Sequence, residues 1–413
     1  EKKTAAIKGA AQGLEKLKTY PETAGFSFQS SFNLASTEEN SDCAYVLNDG
    51  QPDLRLHPTH QFSRWYSASM KRPTLVSKWN QTQDQFYSIF NKQLCNYLNA
   101  TRGFYIMPHN ILSTRSTEMS LYIVSQLLIK QNDVVLVGHL SNYAANMIFQ
   151  QANATIKTIP VDKDGLDVAY IKKYFVKHSI RCVYICAHRD YPTMVKLSAE
   201  RRLALLQLAK EYGFAIIEDD YDYDFNYNHA PILPLKSHDT NGNVIYIGSV
   251  CKTVAPVFRI GYLIAPKSFV NEAANQRRFI DRQGDALLEL TFEDFIKSGD
   301  LDRHIKKVMK VYKTRRDLFC ELLKENFNGI FSFDIPKGGM AVWITLHKKY
   351  SWKTIAKIAI KHKLEIGEWQ RYDNANSGHN SIRMGFATYN EEEIYKLIDR
   401  LSIIMKQIKN SIK

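Results

Sequence analysis

From about Tyr45 onward, short apolar runs of strand length take turns with longer stretches whose apolar residues recur at helical spacing. LYIVSQLLI at 121–129 precedes VVLV at 134–137, and AERRLALLQLAKEYG at 199–213 precedes FAII at 214–217. VIYI at 244–247 comes before RIGYLIA at 259–265. Continuous apolar runs belong to strands buried on both faces, so the pattern predicts an α/β fold with a largely parallel sheet covered by helices. From about Ala286 the chain is helix-rich, with one apolar segment, MAVWITL at 340–346, and a last amphipathic helix from Glu391. Residues 1–44 differ: a Lys-rich stretch and the polar LASTEENSD carry no packed-core pattern. The expected division is an N-terminal arm at 1–44, a large domain at 45–285 and a small domain at 286–413.

Composition narrows the class. A chain of 413 residues, 45% of them hydrophobic, is long enough for two or three domains with a substantial core. Its 55 Lys and Arg against 42 Asp and Glu leave a net charge of +13, which raises nucleic-acid binding. The densest basic stretch, 303–316, places Ile305, Val308, Met309 and Tyr312 at helical spacing. That spacing favours a core-facing helix with a solvated cationic face over a DNA-reading one. The six cysteines, at 43, 95, 182, 186, 251 and 320, form no CxxC pair and suggest neither zinc nor a disulfide framework. They fit a reducing cytoplasm. No apolar run approaches the roughly 20 residues that cross a bilayer, and residues 1–20 lack the apolar stretch of a signal peptide. A soluble cytoplasmic protein with no membrane partner is expected.

Candidate chemistry concentrates in two segments. IIEDDYDYDF at 216–225 continues from one apolar run and GSVCKTVAPVFRIGY at 248–262 follows another. Their polar residues should emerge at strand ends, where open α/β sheets bind ligands. A lysine there is ordinarily a solvated loop residue, and the acidic run from Glu218 to Asp224 reads equally as a solvated turn or a metal site. Ser249, three residues before Lys252, and Arg259, seven after it, change the balance. A hydroxyl and a guanidinium suit a phosphate monoester. An amine able to form a Schiff base, an acid for a ring nitrogen and a phosphate site are together what pyridoxal 5'-phosphate (PLP) requires.

Six segments in order carry a resemblance: DGQPDLRLHP at 49–58, EDDYDYDF at 218–225, GNVIYIGSVCKTVAPVFRIGYLIAP at 242–266, SGDLDRHIKKVMKVYKTRRD at 298–317, GGMAVW at 338–343 and SIRMGFA at 381–387. With them the chain resembles the fold-type-I PLP enzymes. Within that group it is similar to the aminotransferase-like effector domain of the MocR branch of GntR-type transcription regulators, from about Tyr45 to the C-terminus. The resemblance implies a mainly parallel seven-stranded sheet in the large domain, a small α+β domain partly packed by residues 45–78, and a homodimer with active sites at the subunit boundary. It implies an internal aldimine at Lys252, Asp219 paired with the pyridine nitrogen, and Tyr221 hydrogen-bonded to the cofactor's phenolic oxygen. Ser249 and Arg259 would bind the phosphate, Tyr143 would stack on the ring, and Arg383 would clamp the carboxylate of an amino-acid substrate. Ser116, Thr117 and Glu118 match the phosphate-cup turn at a helix N-terminus, and Asp190 matches the position beside the phenolic oxygen. No metal is implied.

Several positions depart from the family pattern. Ser116 stands where the family has glycine, a place open only to a residue content with that backbone geometry. Asp190 replaces an Asn or Gln, which calls for Arg189 or another cation to offset its charge, and Met194 replaces the glycine closing that turn. Cys251 replaces a Ser or Thr with a weaker donor. Asn91 falls where Arg is expected, Gly138, His139 and Leu140 replace an acidic-proline strand end, and Ala145 argues against a second anionic ligand group. Two readings compete, a site degenerate for PLP and a site retuned for an unusual ligand; the retained Lys252 and Asp219 favour bound PLP. MocR regulators carry a winged helix-turn-helix ahead of this domain, and nothing before Tyr45 is patterned as one. The chain therefore reads as an effector domain that would reach DNA only through that module. A stand-alone aminotransferase is the alternative, and a shared fold does not separate sensor from enzyme.

Overall fold

The apolar runs supply the inner strands of a seven-stranded sheet: β1 (Ile111–Thr114), β2 (Val134–Gly138), β3 (Thr155–Ile159), β4 (Cys182–Ile185), β5 (Ala215–Asp220), β6 (Val244–Ser249) and β7 (Gly261–Ile264). This computed structural model describes residues 23–27, 43–72, 86–227, 232–250, 252–254, 256, 258–281, 284–367 and 369–412. The chain divides into two compact units, 1–36 and 37–413, and the sheet lies in the second. Strand order is β1-β7-β6-β5-β4-β2-β3. Neighbours are parallel from β6 through β3, and β7 runs antiparallel to both β6 and β1. VIYI and RIGYLIA are therefore adjacent antiparallel strands joined by a turn, with no crossover helix between them. That turn carries Lys252.

Both faces of the sheet are covered, which is why its inner strands read as continuous apolar runs. On one face Val135, Val137, Ile217, Ile247 and Leu263 pack with Leu121, Val124, Phe149 and Val270. These come from helices α3 (Thr117–Leu128), α4 (Tyr143–Gln151) and α7 (Lys267–Ile280). The intervening residues Leu136, Val183, Ile216 and Val244 meet Ile171, Leu205 and Ala209 on the other face. Those belong to α5 (Val168–Tyr174) and α6 (Ala199–Tyr212). The period of two along the strands sends successive residues to opposite helical layers. Helices α1 (Thr59–Met70), α2 (Phe86–Arg102) and α8 (Ala286–Lys297) extend the second layer, through Phe62, Phe90, Leu94, Phe292 and Phe295 around Tyr246 and Ile264.

A second, three-stranded antiparallel sheet, β8 (Phe331–Ser332), β9 (Ala341–Leu346) and β10 (Ser381–Gly385), packs with α9 (Asp300–Phe327), α10 (Trp352–Ala359) and α11 (Glu391–Ile412). The segment Tyr45–Leu47 pairs in parallel with Leu364–Ile366 and so joins this layer. In α9, Ile305, Val308 and Tyr312 are buried while Lys306, Lys307, Lys310 and Lys313 are exposed, as the spacing predicts. Arg315 departs from that solvated face: buried, it holds Asp53 at 2.8 Å. Among the described residues no helix is long and apolar enough to cross a membrane, and no group of three acidic, His or Cys side chains is placed to hold a metal.

Candidate functional site

Strand register assembles the site. On β5 and β6, Asp219 lies opposite Ile247 and Asp220 opposite Gly248, so Ser249 sits one step past Asp220. On β7, Gly261 lies between Ser249 and Thr114 of the flanking strands. A Cβ at Gly261 would stand 2.7 Å from the Ser116 carbonyl carbon, so only glycine lets the start of α3 settle there. Ser249, Arg259 and the first turn of α3, Ser116 to Glu118, thus come to one end of the sheet beside Lys252 and Asp219.

The acidic run resolves by alternation of faces. Glu218 accepts from the backbone N–H groups of Leu235 and Lys236 at 2.7 and 2.8 Å, closing a loop. Asp220 accepts from the Tyr246 hydroxyl at 2.8 Å. Asp222 pairs with the buried Arg189, and Asp224 with the buried Arg102. Neither a solvated turn nor a metal cluster describes these residues. Asp219 alone faces Tyr184, whose hydroxyl donates to its Oδ2 at 2.7 Å. Its other oxygen, Oδ1, is buried and has no hydrogen-bond partner among the described residues. Burial pushes the Asp219 carboxyl up to about 6, with the Tyr184 hydrogen bond and the Lys252 charge pulling the other way.

The buried Asp220 shows the same effect more strongly. Loss of solvation raises its carboxyl to about 8, against the pull of Arg102. Because the folded value exceeds the usual 3.8, Asp220 contributes stability that is complete below about pH 4 and is lost as pH rises through about pH 8. Asp220→Asn should therefore gain on the native chain in denaturant midpoint between about pH 5 and about pH 8. Parallel midpoint curves for the two proteins would show that Asp220 does not titrate in this range.

Lys252, half-buried, places Nζ 5.0 Å from the Tyr221 ring centroid. The Tyr221 hydroxyl donates to the Arg189 carbonyl at 3.2 Å and accepts from Arg383 Nη1 at 3.2 Å. Arg383 is buried on β10 and donates also to Met194 Sδ at 2.8 Å. Its Nε stands 2.7 Å from Asp49 Oδ1 as an ion pair and donates to the Asp49 carbonyl at 3.2 Å. The Tyr191 hydroxyl donates to the other Asp49 oxygen. Tyr143 opens α4, next to the cap residue Asn142, whose amide donates to the Tyr184 hydroxyl at 3.3 Å.

Ser116 has φ −167 and ψ 171, extended backbone that any residue adopts, and it caps α3 by accepting from the Met119 N–H. Met194 has left-handed backbone, φ 66, the region that favours glycine. Asp190 is not offset by Arg189, which is committed to Asp222. Instead Asp190 accepts from the Thr193 hydroxyl at 2.7 Å, and burial raises its carboxyl to about 7. Asn91 lies outside the site, tying α2 to the Ile111 carbonyl of β1, and Ala145 is buried in the core. Gly138 ends β2 where a Cβ would meet the Leu140 carbonyl oxygen at 2.7 Å. Cys251 lies outside the described residues.

Sequence reasoning missed Asp49, Tyr184 and Tyr191. Asp49 opens one of the quoted segments, yet nothing local ties it to Arg383, 334 positions away. Tyr184 becomes visible only with the register, which sets it opposite Ile217 and so diagonal to Asp219 on the same face.

A largely parallel seven-stranded sheet with an amine, a buried acid and a helix N-terminus at one end defines an aminotransferase-type site. The model of the family described as aminotransferase class I and II matches residues 46–401, and the chain belongs to that family. It is similar to aromatic-amino-acid aminotransferase 1 of Thermococcus litoralis, 27% identical over 72% of this chain and 73% of that one. It is equally similar to the uncharacterized HTH-type transcriptional regulator YdfD of Bacillus subtilis, 27% identical over 90% of this chain and 76% of that one. The probable rhizopine catabolism regulatory protein MocR of Rhizobium meliloti is 26% identical over 71% of this chain and 59% of its own length. Among solved structures, the multiple substrate aminotransferase of Thermococcus profundus superposes with TM-score 0.83 at 23% identity, over 93% of this chain and 98% of that one. The kynurenine aminotransferase of Pyrococcus horikoshii gives 0.81 at 24%, over 89% and 91%. These two likenesses are of fold.

The cofactor of this family is PLP, and the residues present fit it. Among the described residues Asp219 Oδ1 is a buried acceptor lacking a donor, which a protonated pyridine nitrogen would supply. Ser249, Arg259 and the N-terminal amides of α3 would hold the phosphate, and Lys252 the aldehyde carbon.

Proposed function

We propose that the chain binds PLP covalently at Lys252 and responds to an amino acid or related amine, as the ligand-sensing effector domain of a cytoplasmic, homodimeric MocR/GntR-type regulator. The observation that carries the cofactor site is Asp219, buried beside Lys252 with one oxygen that no described residue satisfies. Bound PLP supplies an aldehyde carbon for an amine and an electron-withdrawing ring.

The chain's own residues do the rest. Tyr184 fixes the Asp219 carboxylate through Oδ2, leaving Oδ1 as the acceptor that would keep a pyridine nitrogen protonated. The Tyr221 hydroxyl gives its single proton to the Arg189 carbonyl, and it would serve the cofactor's phenolic oxygen as a donor by turning that proton away from Arg189. Lys252 Nζ would hold the cofactor's aldehyde carbon and, as a free amine, would be the base for a proton on the ligand's α-carbon. Arg383 is the buried cation facing the ligand.

Similarity to YdfD across 90% of the chain supports the sensor reading. Similarity over 73% of the Thermococcus litoralis aminotransferase supports the second reading, a stand-alone transaminase. The test is to load the protein with PLP, titrate amino acids while recording the cofactor's absorbance, and assay keto acid with a panel of 2-oxo acid acceptors. Spectral shifts without keto-acid accumulation are expected of the sensor. Steady accumulation contradicts it in favour of the enzyme, and absence of cofactor absorbance contradicts both.

A further inference from the structure

The cation that faces the ligand already has a carboxylate. Arg383 Nε lies 2.7 Å from Asp49 Oδ1, the Tyr191 hydroxyl donates to the second Asp49 oxygen, and Nη1 is shared between Tyr221 and Met194. A ligand carboxylate seeking Arg383 by a two-point fork would meet Asp49 at the Nε edge. The segment that bears Asp49 is pinned on both sides. Asn48 Oδ1 accepts from the Gly50 and Gln51 N–H groups at 2.9 and 3.0 Å, and the Asn48 carbonyl accepts from Gly385 N at 2.7 Å. Asp53 is held by Arg315, and its N–H donates to the Tyr312 hydroxyl at 3.0 Å. A Cβ at Gly385 would stand 2.6 Å from Gly50 N, so the loop lies directly on β10, the strand that carries Arg383. With the backbone fixed, Asp49 leaves Arg383 only by turning its side chain, which breaks the ion pair and the Tyr191 hydrogen bond together. The Arg383 guanidinium it would leave is buried, where an uncompensated charge is costly.

We infer that Asp49 is a specificity-determining residue, an internal counter-ion that makes the site favour primary amines lacking an α-carboxylate over the corresponding α-amino acids. An α-amino acid must either displace Asp49 or bring a second carboxylate beside it, and like charges in a desolvated site oppose each other. An amine without the carboxylate leaves the pair intact. This deepens the proposed function and rests on its assignment of Arg383 as the ligand-facing cation.

The experiment compares matched ligands, L-phenylalanine with 2-phenylethylamine and L-alanine with ethylamine, titrated into the PLP-loaded protein while the cofactor's absorbance is recorded. The native chain is expected to respond to each amine at lower concentration than to its amino acid. Asp49→Asn should lower half-saturation for the amino acids by about 10- to 100-fold and leave the amines within about twofold. Asp49→Ser, which removes the charge with a smaller side chain, should shift the same ratio and serves if the Asn variant does not fold. A native preference for the amino acids, no response to either amine, or an amino-acid-to-amine ratio unmoved by both variants overturns the inference. A cofactor-free arm separates its failure from that of the PLP reading: calorimetric titration with 3-phenylpropionate should show tighter binding to Asp49→Asn than to the native chain. Equal affinities there overturn the role of Asp49 even where PLP loads normally; a difference supports it even where PLP does not load.

Discussion

Lys252→Ala is expected to abolish the visible absorbance that PLP gives the native protein, and with it every spectral response to amines. The reason is local. Lys252 emerges from the turn between β6 and β7, at the sheet end where register also brings Ser249, Gly261 and the first turn of α3. Its charge acts on both Asp219 and Asp49. Alanine leaves the phosphate donors and Asp219 in place, so PLP would at most bind reversibly as the free aldehyde. Because Lys252 is only half-buried, its truncation should change stability by about 1 kcal/mol or less. The check is the absorbance spectrum of both proteins after PLP loading and desalting. Retained visible absorbance in the alanine variant would place the covalent link elsewhere.

The second large effect is expected of Asp219→Asn, and it has opposite signs with and without cofactor. In the PLP-loaded protein, asparagine keeps the hydrogen bond from Tyr184 but loses the charge that balances a protonated ring nitrogen. The rate of the amine-dependent spectral change should fall by about 10² to 10³. In the cofactor-free protein the carboxylate is a burden. Burial raises the folded value to about 6 from 3.8, so the stability Asp219 contributes is complete below about pH 4 and lost as pH rises through about pH 6. Near pH 8, cofactor-free Asp219→Asn should therefore unfold at higher denaturant than the native chain, while PLP should stabilise it less. Denaturation of both proteins with and without PLP reads both signs. A variant destabilised in the cofactor-free state, or protected by PLP as well as the native chain, would remove Asp219 from the ring nitrogen.

The strand ends were legible because the physics that buries a two-sided sheet writes itself as uninterrupted apolar runs, and Lys252 and Asp219 each follow or finish one. The amphipathic reading of 303–316 held for Ile305, Val308 and Tyr312, since burial of one stripe needs only local spacing. What escaped depends on contacts between distant segments. Nothing local marks VIYI and RIGYLIA as antiparallel neighbours, and their pairing is what brings Lys252 between two adjacent strands. The acidic run looked like one feature because sequence does not say which face each residue takes; folded, Glu218, Asp219, Asp220, Asp222 and Asp224 have separate partners. Arg189 looked available to Asp190 by proximity in the chain, yet Asp222 holds it. The Asp49–Arg383 pair spans most of the molecule's length and had no sequence signal at all.

Borohydride reduction of the PLP-loaded protein, followed by proteolysis and mass spectrometry of the peptides, reads out a covalent bond between Lys252 and PLP. A phosphopyridoxyl group is expected on the peptide at Lys252, and its loss is expected when reduction follows exposure to a saturating amine ligand. An unmodified Lys252, or a phosphopyridoxyl group found only on other lysines, would contradict it.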